Sequence, residues 1–364
     1  MTPAARVRLA RAFALQAYWC KALGSPFYAR LASECALGLE RDAPLRRTLA
    51  PFADDAPGTV LPLRFLGALH RLALEGAAPE LAAHYPSCGG DDDAAAAGRH
   101  LDTVTERLGD RLAALIQQSV QTNEVGRAAA LLGGFLEIAE TTGLPLRLLE
   151  LGASAGLLLR FDRYRYGCGA WAWGDAQAEV VLDAHFAEPL PFAQTALHVA
   201  SRRGCDLRPI DAATPEGRLR LRSYVWPDQR ERLALLDAAV RVARRLEATV
   251  DREPAGTWLA RQLAAPVSGV ATVVVHTVVM QYVPAAERGA IDATIARAGA
   301  AATPDAPLAR LSLEPRPGPS VVVQRFPGDA SERGIAEATM HGRNVRWIAP
   351  APDVDFDLLR STGG

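Results

Sequence analysis

The order of hydrophobic and polar positions divides the chain into a helical first third and a sheet-forming remainder. Over residues 5–23, Val7, Leu9, Phe13, Leu15, Tyr18 and Trp19 recur at three- and four-residue intervals, which predicts an amphipathic helix. Gly24-Ser25-Pro26 ends it and opens a second, with Phe27, Leu31 and Cys35 on one face. Further helices are expected at about 61–75 and 100–118, the latter through Leu101, Val104, Leu108, Leu112, Leu115 and Ile116. Pro51–Gly58 and Gly89–Asp93 read as loops, and the aromatic residues of this third read as core. Thr122 or Asn123 is placed to cap an apolar helix over Ala128–Ile138.

Beyond residue 145 the period changes. Leu146, Leu148, Leu149 and Leu151 form an apolar run with Glu150 near its end, followed by the turn Gly152-Ala-Ser154-Ala-Gly156 and a predicted helix through Leu157, Leu158 and Phe161. Trp171, Trp173 and Val180–Leu182 suggest an inserted hairpin, and His198 onward runs as a strand toward Asp206. A long helix is expected at 228–247 and an alanine-rich one at Ala290–Ala300. Val270–Val275 is a continuous β-branched run, as in a parallel strand buried on both faces. Ala309–Glu314, Ser320–Arg325 and Ala338–Trp347 supply closing strands, with a hairpin around Gly328–Gly334.

Strand, tight turn and helix are how an α/β protein opens a ligand crevice, because glycines admit a ligand to the backbone and a helix start offers unpaired N–H groups. Glu150-Leu-Gly152-Ala-Ser154-Ala-Gly156 resembles the first motif of Rossmann-like S-adenosylmethionine (SAM) methyltransferases. The same letters fit Gly-x-Ser-x-Gly, the nucleophile elbow of α/β-hydrolases. A dinucleotide fingerprint fits poorly, since Ser154 and Leu157 stand where glycines are wanted. An elbow serine follows several strands, whereas no strand is evident before residue 145, so the order of elements favours the methyltransferase. A turn that only packs a helix on a strand is the plain alternative.

The resemblance extends along most of the chain. Thr122–Leu132, Arg147–Gly167, Ser201–Leu207 with Pro209 and Asp211, Ser223–Leu233 and His276–Tyr282 together resemble an uncharacterised bacterial family, domain of unknown function 2332, with a SAM-methyltransferase-like fold. It implies an α/β fold with a Rossmann-like, mostly parallel sheet over 121–364 and an N-terminal helical domain over 1–120 placed to cap the crevice. It also implies SAM as cofactor and a small-molecule substrate.

Candidate cofactor contacts are Glu150, Gly152, Ser154 and Gly156, with Asp206 for a ribose diol, Asp175 as its rival, and Asp211 for the next crevice loop. Asn123, Glu124 and Arg127, three polar types before a helix, are candidates for substrate, as are Trp226 and Gln281. Trp226 equally suits core packing, and Pro227 and Asp228 suit a helix start. His276 ends the β-branched run, where it can serve as a general base or as a satisfied core histidine; Tyr282 is a secondary catalytic candidate. A second functional class is a serine hydrolase using Ser154 with His276 or His341, and a third is a noncatalytic binding protein.

Composition narrows these readings without choosing among them. The 364 residues are 49% hydrophobic and 22% charged with net charge −1, so neither nucleic acid nor a membrane is expected as partner. Lys21 is the sole lysine, a bias that lowers the weight of arginine-rich pieces such as Arg218–Arg222. Five scattered cysteines without a Cys-x-x-Cys fit reduced thiols and no zinc site. No signal peptide is read in the first residues, and a cytoplasmic protein is expected.

Overall fold

The structure is a computed structural model and describes residues 1–41, 44–55, 59–192, 194–328 and 330–349. The end of the Pro51–Gly58 loop, one residue of the 328–334 turn and the last residues of the expected sheet domain lie outside these. The chain forms two units: Met1–Thr122 with Asp211–Asp237, and Asn123–Ile210 with Ala238–Gly364.

The first unit is helical. Thr2 and Ser25 cap the helices Pro3–Ala22 and Pro26–Glu40, each with proline in its first turn, where the missing N–H costs nothing. The first helix buries Leu9, Phe13, Ala17 and Cys20, while Leu15, Tyr18 and Trp19, expected inside, are exposed. A stripe at four-residue spacing won over the wider face drawn through every apolar residue. Helices Leu61–Leu74 and Leu101–Ile116 lie close to their expected positions. The segment 211–237 belongs here through specific bonds. Asp228 accepts from Ser25 Oγ at 2.6 Å and the Phe27 amide at 2.9 Å, and the carbonyl of Ser223 meets His70 Nδ1 at 3.2 Å. The arginine-rich piece is a helix, Pro215–Ser223.

The second unit is built on an eight-stranded sheet. Its strands are β1 (Leu146–Leu151), β4 (Val199–Asp206), β5 (Thr249–Arg252), β6 (Ala271–Thr277), β7 (Leu308–Leu313), β8 (Val321–Phe326), β9 (Arg333–Glu337) and β10 (Arg346–Trp347). A separate hairpin pairs β2 (Tyr166–Cys168) with β3 (Trp171–Trp173). The sheet order is β10-β9-β8-β7-β6-β1-β4-β5, with β5, β4, β1, β6 and β7 mutually parallel and β8–β10 antiparallel. The chain therefore moves outward from β1 in one direction, returns, and continues in the other from β6. Ligands of open α/β sheets lie beyond the carboxyl ends of the strands at such a reversal.

Both faces of this sheet are covered. On β7, Leu311 packs on Gly134 of helix Arg127–Thr142, while Arg310 on the opposite face pairs with Asp292 of helix Ala285–Ala300. The β-branched run of β6 is buried from Ala271 to His276, as its sequence predicts. Two expectations are corrected. The helix after Gly156 is a six-residue 3-10 segment, Leu158–Arg163, broken at Arg160, whose guanidinium turns back to bond carbonyls of its own turn. The strand expected over Ala338–Trp347 is mostly a turn at Thr339–Gly342; β9 precedes it, Arg346–Trp347 pair with β9, and Val345 makes an isolated bridge to Phe186.

Candidate active site at the carboxyl end of β1 and β6

The turn after β1 doubles back through three residues in the left-handed region: Gly152 at φ +70°, Ser154 at +53° and Gly156 at +66°. Glycine at 152 is required twice, since a Cβ there would also lie 2.5 Å from the Val279 side chain. Ser154 carries the strain that glycine would avoid.

The turn is held from both sides. Asp206, ending β4, accepts from the Ser154 amide at 2.9 Å through one oxygen and from the Arg208 amide at 2.8 Å through the other. Asn123 Oδ1 accepts from the amides of Ala155 at 3.2 Å and Leu157 at 3.4 Å. Asn123 thus caps this turn and not its own helix, whose start at Gly126 has no side-chain cap. On the carbonyl side, Arg160 donates to Gly156 at 2.6 Å and to Leu246 at 2.8 Å, and the Tyr164 hydroxyl donates to Leu157 at 2.6 Å. Three backbone N–H groups of the turn are therefore committed to protein and not open to a ligand.

Two side-chain atoms of the turn are not committed. Glu150 is 3% exposed and, among the described residues, its Oε2 has no hydrogen-bond partner; the buried Ser154 Oγ has none among them either. Burial pushes the Glu150 carboxyl up to about 8, opposed by the charges of Arg160 and Arg127 and reinforced by that of Asp206. Arg127 itself reaches the Met340 carbonyl at 2.9 Å and the Thr277 carbonyl at 3.3 Å, linking the start of its helix to the end of β6. Glu124 is buried beside it in sequence.

At the end of β6 the chemistry is different. Arg310 Nε donates to His276 Nε2 at 3.0 Å, so that nitrogen is an acceptor and Nδ1–H donates to Glu314 at 2.8 Å. The same Glu314 oxygen accepts from the amides of Val279 at 3.1 Å and Met280 at 3.3 Å. His276 is thus the neutral tautomer, and burial holds its pKa below the usual range despite the favourable bond from Glu314. Both ring nitrogens are occupied in setting a turn that passes through Val278 at φ +51°. Gln281 and Tyr282 follow on an exposed 3-10 segment, Met280–Tyr282.

The structure thus brings Asn123, Arg127, Glu150, Gly152, Ser154, Gly156, Asp206 and His276 into the framework at this edge. Asp211 and Trp226 belong to the helical unit, where Trp226 is core beside Tyr28 and Asp211 bonds the Ala213 amide. Asp175 follows β3 and accepts from the Gln177 amide. Sequence reasoning missed Glu314, Arg310 and Arg160. Glu314 was within reach, because an acid at the end of an apolar strand is the feature that marked Glu150.

These features define an α/β protein with a large, mostly parallel sheet and a candidate ligand site at its strand-order reversal. The chain belongs to the family described as an uncharacterized protein conserved in bacteria, DUF2332, whose model matches residues 10–347. No curated protein and no solved structure matches it. Among the described residues no helix is long and apolar enough to cross a membrane.

Proposed function

We propose that the protein is a SAM-dependent methyltransferase acting on a small molecule, with a Rossmann-like sheet as its cofactor platform. The observation that carries this reading is the buried, unpartnered carboxylate oxygen of Glu150 at the end of β1. A carboxylate oxygen without a hydrogen-bond partner in a dry site is costly, even with the charges of Arg160 and Arg127 acting on it. SAM bears an ammonium and a sulfonium, and a cationic ligand group would restore the ionised form of Glu150. Ser154 Oγ, equally buried and unpartnered, offers a second polar contact in the same turn. The committed amides of Ser154, Ala155 and Leu157 make these two side chains, and not a backbone cradle, the main ligand contacts.

When bound, SAM supplies an electrophilic methyl carbon for in-line displacement, so the chain's own contribution is placement of the acceptor. His276 and Glu314 contribute by fixing the β6 turn against Gly152. His276 is a positioning residue in this reading. Calorimetric titration of the full chain with S-adenosylhomocysteine tests it. Micromolar binding, about −8 kcal/mol, weakened at least tenfold in Glu150→Gln, is the expected result. No heat and no thermal stabilisation at saturating ligand, from folded protein freed of copurified cofactor, overturns the proposal.

One observation favours a second reading. Ser154 holds a left-handed backbone inside Gly-x-Ser-x-Gly, as a strained nucleophile would. Against it, the two nitrogens of His276 are both engaged elsewhere. Ser154→Ala separates the two: it abolishes hydrolysis of an activated ester under the second reading and only weakens S-adenosylhomocysteine binding under the first.

A further inference from the structure

The opposite edge of the same sheet holds a cavity of about 140 Å³ at the amino-terminal ends of β1, β6 and β7. Arg147 of β1 and Arg297 of helix Ala285–Ala300 both line it, with Thr272 of β6 and apolar walls from Pro266, Val267 and Leu308. No carboxylate is among its lining residues.

Among the described residues these two arginines lack both the ion pairs of most buried arginines here and the set of backbone carbonyls that satisfies buried Arg160. Arg64, Arg71, Arg202 and Arg310 are largely buried, and each reaches an aspartate or glutamate. Arg147, half-buried, reaches only the Gln262 backbone carbonyl at 3.0 Å and its side-chain oxygen at 3.2 Å, both through Nη2. Its Nε and Nη1 have no acceptor among the described residues. Among the described residues Arg297 donates only to Thr294 Oγ1, at 3.4 Å. Burial pulls the Arg147 pKa down, the mark of a cation held without a counter-charge.

We infer that this cavity is a binding site for a phosphate group, clamped between the guanidiniums of Arg147 and Arg297. One planar fork satisfies a carboxylate, whereas two forks on separate elements suit the several oxygens of a tetrahedral anion. The hydroxyl-bearing Thr272 adds a donor of the kind phosphate sites use. The site stands at the opposite ends of the strands from Glu150 and does not depend on the proposed methyl transfer.

The test is calorimetric titration of the full chain with inorganic phosphate at fixed, low ionic strength, repeated with methyl phosphate and acetate. Saturable phosphate binding is expected, weakened at least tenfold by Arg297→Gln and by Arg147→Gln. The exposed position of Arg297 keeps that variant folded, so the test stands even if Arg147→Gln fails to fold. Methyl phosphate binding as tightly as phosphate assigns the ligand to phosphate esters, and weaker binding assigns it to the free ion; either supports the site. Absence of saturable binding, unchanged affinity in Arg297→Gln, or acetate binding as tightly as phosphate overturns it.

Discussion

The turns after β1 and β6 are neighbours, packed together where Val279 meets Gly152, and they solve the same problem in opposite ways. Each reverses the chain at the carboxyl edge through a non-glycine residue with positive φ, Ser154 in one and Val278 in the other. After β6 the polar side chains are closed on one another: Arg310 on His276, His276 on Glu314, Glu314 on two amides. After β1 the backbone is equally well tied, yet Glu150 Oε2 and Ser154 Oγ are left without partners. Strained backbone that the surroundings over-determine is common to scaffolds and sites. Unspent buried polar capacity is what separates the two, and under the proposed function it makes β1 the ligand side and β6 its buttress.

The largest effect should come from the contact that joins them. Gly152→Leu forces a side chain into the left-handed region, about 1–2 kcal/mol, and overpacks it against Val279, about 1–3 kcal/mol more. Urea unfolding should show a loss of roughly 2–5 kcal/mol. A loss well below ~1 kcal/mol would mean that the two turns do not touch as described.

Next is the pH dependence that the unpartnered carboxyl imposes. Glu150 ionises near 4.5 in the unfolded chain and about 8 in the folded one. Between these values the folded state binds the extra proton, so stability falls as pH rises from about 4.5 through about 8. Each unit of raised pKa is worth about 1.4 kcal/mol, so Glu150→Gln should gain a few kcal/mol on the wild type by pH 8. Below pH 4.5 the gap between the two should be constant. Stability curves for both proteins at pH 4, 6 and 8 measure this. A gap that does not widen with pH would mean that Arg160 and Arg127 fully offset the burial of Glu150, and would remove the contrast with the β6 turn.

Glu314→Ala probes the other partner of the comparison. It strips the acceptor from His276 Nδ1–H and from the Val279 and Met280 amides, and leaving buried donors unsatisfied costs about 1–3 kcal/mol. Glu314→Gln keeps a side-chain oxygen and should recover much of that loss. Equal stability of Glu314→Ala and wild type in chemical denaturation would show that the β6 turn needs no such buttress.

The sequence makes the framework of this edge legible and hides its division of labour. Strands β1 and β6 are readable because apolar runs end in Glu150 and His276 next to turn residues, and β4 because Asp206 stands before the turn residues Arg208 and Pro209. β5 escaped, being four residues, Thr249–Arg252, with two charges and half of its pattern exposed. His276 is visible as a strand-end histidine, but its meaning depends on Arg310 and Glu314, which lie 34 and 38 residues away and come beside it only through strand pairing. The helix after Gly156 was misread for a related reason: Leu157, Leu158 and Phe161 fit helical spacing, yet Arg160 is pulled back onto the turn carbonyls and the chain leaves into the β2–β3 hairpin. Asn123 shows the same limit. Its residue type announces a cap, and only the fold decides which turn it caps.

The smallest effect is the most discriminating, because its sign differs between a ligand turn and a structural one. Ser154→Gly removes the left-handed strain of a side-chain-bearing residue, about 1–2 kcal/mol, and deletes a hydroxyl that has no partner. Against this stands the backbone entropy of glycine, about 0.5–1 kcal/mol. The variant should therefore unfold at slightly higher urea than wild type, by up to roughly 1 kcal/mol, and its affinity for S-adenosylhomocysteine should fall. A serine retained at a stability cost is accounted for by a ligand contact and not by packing. If Ser154→Gly is instead destabilised by ~1 kcal/mol or more, the hydroxyl is a structural bond donor. The β1 turn is then as closed as the β6 turn, and Glu150 alone would have to bear the ligand.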